Sequence, residues 1–136
     1  CLVLDVDYTL FDHHWYQQVK DEFRKDSTKM IPEFKRPYLH EFLEQCYERF
    51  DLIIWSATGM NTIDTKMNGL SIYTHPNYKI TLVLSKDYMI NVTKYKKNGK
   101  KYEETVKPLQ VIWNKFPEYY SSANTIHACA HHHQLV

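Results

Sequence analysis

Glycine is scarce in this 136-residue chain. Only Gly59, Gly69 and Gly99 occur, where average usage of roughly 7% would give about nine or ten. No two lie close enough to form GxGxxG or GxxxxGK, so the common glycine-built nucleotide cradles are excluded. An excess of one charge sign is also missing. Seventeen basic residues face sixteen acidic ones, leaving +1. Bulk charge therefore gives no reason to expect a direct nucleic-acid partner or a membrane partner. Cysteine is limited to Cys1, Cys46 and Cys129, with no CxxC pair. The odd number and wide spacing point to a reducing compartment, cytosol or nucleus. Long apolar runs are absent too. Leu52-Ile53-Ile54-Trp55 is the longest near the centre, far short of the ~20 residues of a membrane span. No signal peptide is visible. The chain opens in mid-strand with Cys1-Leu2-Val3-Leu4 and no initiator Met. We read it as an excerpt of a longer protein, so absent targeting signals carry little weight.

What is present suits one domain. Hydrophobic residues make up 43% and aromatics 15%, enough to build a core. Leu2-Val3-Leu4 reads as a buried strand ending in Asp5 and Asp7. Residues 11 to 35 read as a polar loop with one helical stretch near Gln17 to Phe23. Pro37 can occupy the first turn of the next helix. There Leu39, Phe42, Leu43, Cys46, Tyr47 and Phe50 form an amphipathic stripe. Phe50 to Trp55 is a second buried strand. Met60, Ile63 and Met67 repeat at helical spacing, and Gly69 is placed to stop that helix. This βαβα order implies a parallel sheet. Tyr78 to Leu84 and Met89 to Tyr95 read as further strands, with Asn98-Gly99 as a hairpin turn before Tyr102. We expect a small antiparallel insert at roughly residues 73–105. Leu109, Ile112, Trp113 and Phe116 suggest a helix that Pro117 breaks, and Asn124-Thr125-Ile126 begins one more strand.

Three features carry chemistry, and each has a plain reading beside the functional one. Asp5-Val6-Asp7-Tyr8-Thr9 follows a buried strand, and a turn there can bring two carboxylates around one point. Two solvated acids and a capping threonine explain the same letters. Ser56-Ala57-Thr58 ends the next strand, on the edge of a parallel sheet where ligands bind. Its hydroxyls can hold phosphate oxygens, or simply cap the helix at Met60. Lys107 can neutralise a phosphorylated intermediate, or it is solvated like most lysines.

Together these segments are recognisable. Asp5-Val6-Asp7-Tyr8-Thr9-Leu10-Phe11-Asp12, Arg36-Pro37-Tyr38-Leu39-His40-Glu41-Phe42-Leu43, Ile53-Ile54-Trp55-Ser56-Ala57-Thr58 and Val106-Lys107-Pro108-Leu109 occur in this order. They resemble haloacid-dehalogenase-type phosphatases, in the NLI-interacting-factor-like branch that acts on the RNA polymerase II C-terminal domain. Asn77-Tyr78-Lys79-Ile80-Thr81 and Val111-Ile112-Trp113 agree with members that carry a ubiquitin-like domain upstream. The resemblance runs from residue 1 to about 126. It implies an α/β, Rossmann-type core with a parallel sheet. It implies a Mg²⁺-dependent protein serine/threonine phosphatase, located in the nucleus, with the polymerase tail or proteasome subunits as phosphoprotein substrates. Asp5 would be the nucleophile that forms an aspartyl-phosphate. Asp7 would be the general acid and base. Thr9 would support the loop and its phosphate, Ser56 would bind phosphoryl oxygens, and Lys107 would neutralise charge. Mg²⁺ would be held by the Asp5 carboxylate and the Asp7 main-chain carbonyl, with further acids and waters.

The pattern fails at one end. The family's last motif is an adjacent acidic pair, which should fall at Cys129-Ala130. Neither residue offers a hard oxygen side chain. We read residues 127–136 as an aberrant histidine-rich tail and the domain as truncated at its C-terminus. The expected consequence is weak metal binding and a weak or dead phosphatase, with a truncated phosphopeptide- or partner-binding module as the alternative. His127, Cys129, His131 and His133 alternate and could share a strand face around Zn, Ni or Cu, although an accidental tail explains them as simply. His13 and His14 lie near the site's mouth, where they could touch substrate, although solvated loop histidines are the plainer reading.

Overall fold

The computed structural model describes residues 1–20 and 31–130. The first strand, β1 (Leu2–Leu4), is followed by α1 (His13–Val19), a 3-10 turn (Ile31–Phe34) and α2 (Leu39–Tyr47). Then come β2 (Leu52–Trp55), α3 (Met60–Gly69), β3 (Ile80–Leu84), a 3-10 turn (Lys86–Tyr88), β4 (Ile90–Tyr95), β5 (Lys101–Val106), α4 (Gln110–Lys115) and β6 (Ile126–Ala128). Four strands form a parallel sheet in the order β3-β2-β1-β6, and β4 and β5 form a separate antiparallel pair. This is the expected α/β core. Among the described residues no helix is long and apolar enough to cross a membrane.

The apolar runs explain the layering. Every residue of β1 and β2 is buried, as parallel strands covered on both faces require. Alternation sorts their side chains. Leu2, Leu4, Leu52 and Ile54 pack with α2 and α3 through Leu39, Leu43, Ile63 and Met67. Val3, Ile53 and Trp55 face the other way, onto Leu84, Ile112 and Tyr120. Helices thus cover both faces. On α2 the buried line is narrower than the stripe suggested: Leu39 and Leu43 are buried, while Phe42 and Tyr47 are exposed.

Several boundaries differ from expectation for local reasons. The first helix starts at His13, because the Asp12 side chain caps it by accepting the Trp15 N–H at 3.1 Å. The expected stretch from Gln17 to Phe23 passes outside the described residues after Lys20. Pro37 is not in the first turn of α2, since Tyr38 adopts a left-handed φ of 60° at the N-cap. The insert is smaller than residues 73–105. Ile80–Leu84 belongs to the parallel sheet, paired with β2, and only β4 and β5 stand apart. The run is apolar enough to extend the core sheet. The hairpin turns through Lys97, Asn98 and Gly99, a three-residue loop with Gly99 left-handed at φ 78°. The tail also begins later than residue 127, because His127 and Ala128 pair with Val3 and Leu4 in β6.

Gly69 does end α3, yet what it answers to is space. A Cβ there would lie 2.5 Å from Ile31 Cγ2 and 2.7 Å from Ile31 Cβ. Gly69→Ala is therefore expected to lower thermal stability. Overpacking costs about 1–3 kcal/mol, against about 1 kcal/mol that alanine gains at best over glycine in a helix. A raised melting temperature would show that Ile31 yields freely.

A second local device ties α2 to the segment before β3. His75 stacks between His40 and Tyr78, at centroid distances of 4.5 and 4.4 Å, and His40 Nδ1 hydrogen-bonds the Tyr78 hydroxyl at 2.8 Å. Burial, then His75 and Lys35, hold His40 below its ordinary value of 6.5, with Glu41 and Glu44 opposing. The folded state thus takes up the His40 proton later than the unfolded chain does. Stability is expected to fall as pH drops below about 6.5. The loss in melting temperature between pH 7.5 and 5.5 should be smaller in His40→Phe.

Candidate active site

The C-terminal ends of β1 and β2 are neighbours, because Leu4 pairs with Ile54. Asp5 and Ser56 therefore emerge on the same sheet edge. Both are buried. Just past β1 the chain folds on itself: the Val6 carbonyl accepts the N–H groups of Thr9, Leu10 and Phe11 at 3.3, 2.9 and 3.0 Å. Tyr8 sits in this loop with φ 64°. The tight turn separates the environments of the two aspartates.

Asp5 points inward. Its Oδ1 accepts the Val6 N–H at 2.8 Å and lies 2.9 Å from Lys107 Nζ. On its other side Cys129 Sγ donates to Oδ2 at 3.3 Å. Lys107 is 1% exposed, which removes the solvated reading. Its Nζ is an ion-pair partner of Asp5 but makes no aligned hydrogen bond to the described residues. A buried ammonium with unsatisfied donors beside a carboxylate suits an anionic group arriving at that carboxylate.

Asp7 lies nearer the surface and has different partners. Its Oδ1 accepts from Lys66 Nζ and lies 3.2 Å from His13 Nδ1. Both contacts correct the sequence reading. His13 is the first residue of α1 and faces the site, and only His14 remains at the exposed surface. Lys66 was not singled out at all. Its signal was present: Ile63, Lys66 and Met67 share one helix face, so a lysine stands within a buried stripe. The Lys66 ammonium also sits 4.7 Å from the centre of the Phe11 ring.

Ser56 Oγ lies 3.1 Å from Thr58 Oγ1 and accepts the Thr58 N–H at 3.4 Å. The helix cap that could have explained these hydroxyls falls on Gly59, with no side-chain cap bond. Neither hydroxyl is spent on capping α3. Thr9 Oγ1 accepts the Ala130 N–H at 3.2 Å, so Thr9 ties the loop to the segment after β6.

The cation site follows from that segment. Cys129 occupies the position where an acid was expected, within contact of Asp5. Asp5 supplies hard carboxylate oxygens, but a thiol is a poor ligand for Mg²⁺. The donors therefore do not complete a Mg²⁺ site. His127, on β6, is held below its usual value, by burial first and the Lys107 ammonium second, with Asp5 opposing. His131 and His133 lie outside the described residues. Cys129 contacts Asp5, and among the described residues no group of three metal-ligating side chains forms.

The sequence of a known family overlays this geometry. A family model described as NLI interacting factor-like phosphatase matches residues 1–127. The chain belongs to the NLI interacting factor-like phosphatase family. It is 48% identical over 125 residues to ubiquitin-like domain-containing CTD phosphatase 1 of Gallus gallus, covering 92% of this chain and 35% of the relative. The same-named proteins of Danio rerio and Homo sapiens are each 47% identical over the same coverage. The chain thus spans about a third of the length of these relatives. The family match reaches His127 in β6 and stops short of Cys129.

Proposed function

We propose that this domain is a protein serine/threonine phosphatase working through an aspartyl-phosphate on Asp5. The observation that supports it most is the buried Lys107 ammonium, 2.9 Å from Asp5 Oδ1 and without an aligned hydrogen bond among the described residues. In this reading an Asp5 oxygen attacks phosphorus in line, and the bond to the substrate's serine or threonine oxygen breaks. Asp7 gives its proton to that departing oxygen. Water then attacks the aspartyl-phosphate, Asp7 takes the water's proton, and inorganic phosphate leaves. Lys107 offsets the charge that gathers on Asp5 and the phosphoryl group, and Ser56 holds a phosphoryl oxygen. Thr9 keeps the loop in place. Lys66 and His13 fix the direction of the Asp7 carboxylate.

Mg²⁺ would add charge neutralisation at the same oxygens, and dependence on it is part of the family's implied chemistry. With Cys129 as the third neighbour, turnover in this chain is slow. The substrates in this reading are phosphoproteins, with the RNA polymerase II C-terminal domain or proteasome subunits as candidates, and the location is nuclear. A second reading, a phosphopeptide-binding module without turnover, is favoured by the same Cys129 contact.

Acid-quenched reaction with a phosphoserine peptide tests both. The phosphatase reading expects a hydroxylamine-labile mass increase on Asp5 that is absent in Asp5→Asn. Peptide binding with no such adduct supports the module. Neither binding nor adduct removes both.

A further inference from the structure

We propose that the tip of the β4–β5 hairpin docks a second phosphate of the phosphoprotein chain whose first phosphate enters the Asp5 site. The proposal rests on the phosphatase reading above and extends it to substrate choice. Residues 88–102 contain five lysines and no acid. The near-zero net charge of the whole chain thus hides a local concentration, and the remainder carries net negative charge. Every residue from Tyr95 to Glu103 is exposed.

Two of these lysines stand as a like-charge pair, and Lys96 is partly compensated by the Tyr102 ring, 5.9 Å from its Nζ. Lys96 and Lys100 are held directly opposite each other by the Lys96 N–H to Lys100 carbonyl bond at 3.0 Å. Like charges facing across an antiparallel pair repel. Lys97 lies in the loop, and Lys101 starts β5 opposite Tyr95. The nearest acids sit lower on the ribbon. Glu104 is occupied by Lys94 at 2.5 Å, and Glu103 shares the face of Lys101, opposite to that of Lys96 and Lys100. A phosphate arriving on their face would accept from Lys96 and Lys100 at once and relieve their repulsion.

The hairpin is also joined to the chemistry. Lys101 and Val106 bound β5, and the next residue is the buried Lys107. Six steps at about 3.3 Å each separate tip from site, roughly 20 Å. An extended peptide following the ribbon spans that distance in about six or seven residues. A flexible phosphoprotein segment fits this geometry. The exposed rings of Tyr95 and Tyr102 could instead stack bases, which makes single-stranded RNA the competing occupant.

The test uses fluorescence anisotropy in the Asp5→Asn background, where no adduct can form. One peptide carries a single phosphoserine. The other adds a second phosphoserine about seven residues away. The proposal expects the doubly phosphorylated peptide to bind about tenfold more tightly, the range of one or two charge-assisted hydrogen bonds. The K96Q/K97Q/K100Q/K101Q variant should lose that increment and its salt dependence, while binding the singly phosphorylated peptide as before. Equal affinity of the two peptides, or an unchanged increment in the variant, overturns the proposal. So does tighter binding of an oligo-U RNA that the variant abolishes. Failure of the singly phosphorylated peptide to bind at all counts instead against the catalytic reading, because that peptide reports on the Asp5 site alone.

Discussion

Replacing Cys129 by aspartate is expected to raise Mg²⁺-dependent hydrolysis by ~10²–10³, the scale of restoring one preorganised charge-stabilising element. The reasoning starts from geometry. Cys129 Sγ already touches Asp5 Oδ2 at 3.3 Å, so an aspartate at this position places a second hard oxygen donor beside the first. Mg²⁺ takes oxygen ligands and rejects thiols. The same change carries a cost when no cation is bound. A second carboxylate would join Asp5, with Lys107 the single ammonium paired to it among the described residues. Stability should therefore change in opposite directions. With a chelator present, Cys129→Asp melts below the parent chain. With Mg²⁺ at about a hundred times its dissociation constant, the variant gains about 2.7 kcal/mol from binding and melts above its own metal-free form. The parent chain should show little shift between the two conditions. A variant that gains neither turnover nor Mg²⁺-dependent stability would show that the segment after β6 does not face the transferred phosphate.

The sequence is most legible at the strand ends, where the order of the motifs overrules the plain reading that each residue also allows. Asp5 and Ser56 stand just beyond apolar runs and Lys107 just after a hairpin; the resemblance decides their roles, and the parallel register of β1 and β2 accounts for the first two meeting. Lys107 is harder, because it reaches Asp5 only through the β4–β5 excursion, and nothing local announces that a lysine after a hairpin is buried. Lys66 and His13 illustrate the opposite failure. Each has an ordinary local explanation, one as a helix residue and one as a loop residue. Their meeting at Asp7 depends on how α1 and α3 pack over the β1 loop. Asp12 is a cap residue by type, but the polar stretch around it has no apolar periodicity to mark a helix start there. The β3 strand was recognised, yet its place in the parallel sheet followed from its apolar packing and not from its neighbours in sequence. Charge was misleading in sum: a balance near zero concealed the lysine-rich hairpin tip.

Lys107→Met should be the most damaging single change to the fold and the site together. Lys107 and Asp5 are both buried, and the 2.9 Å contact is the ion pair formed at this carboxylate. Removing one member of a buried pair leaves the other charge without compensation, at a cost of about 3–5 kcal/mol. Urea denaturation should show that loss as a lower midpoint with a similar slope. Phosphoryl transfer should also fall by ~10²–10³, because the donor facing the developing charge is gone. The two effects can be separated. Asp5→Asn in the Lys107→Met background removes the stranded carboxylate and should recover most of the stability, while activity stays absent because the nucleophile is gone. If Lys107→Met alone unfolds no more easily than the parent, the lysine is solvated in solution and the buried pair does not form. Recovery of stability in the double variant would show that the stranded Asp5 charge is what destabilises Lys107→Met, so that the ammonium the proposed chemistry needs also holds this sheet edge together. In the proposed reaction that carboxylate is the nucleophile, which gives a lysine a reason to stand within an apolar interior.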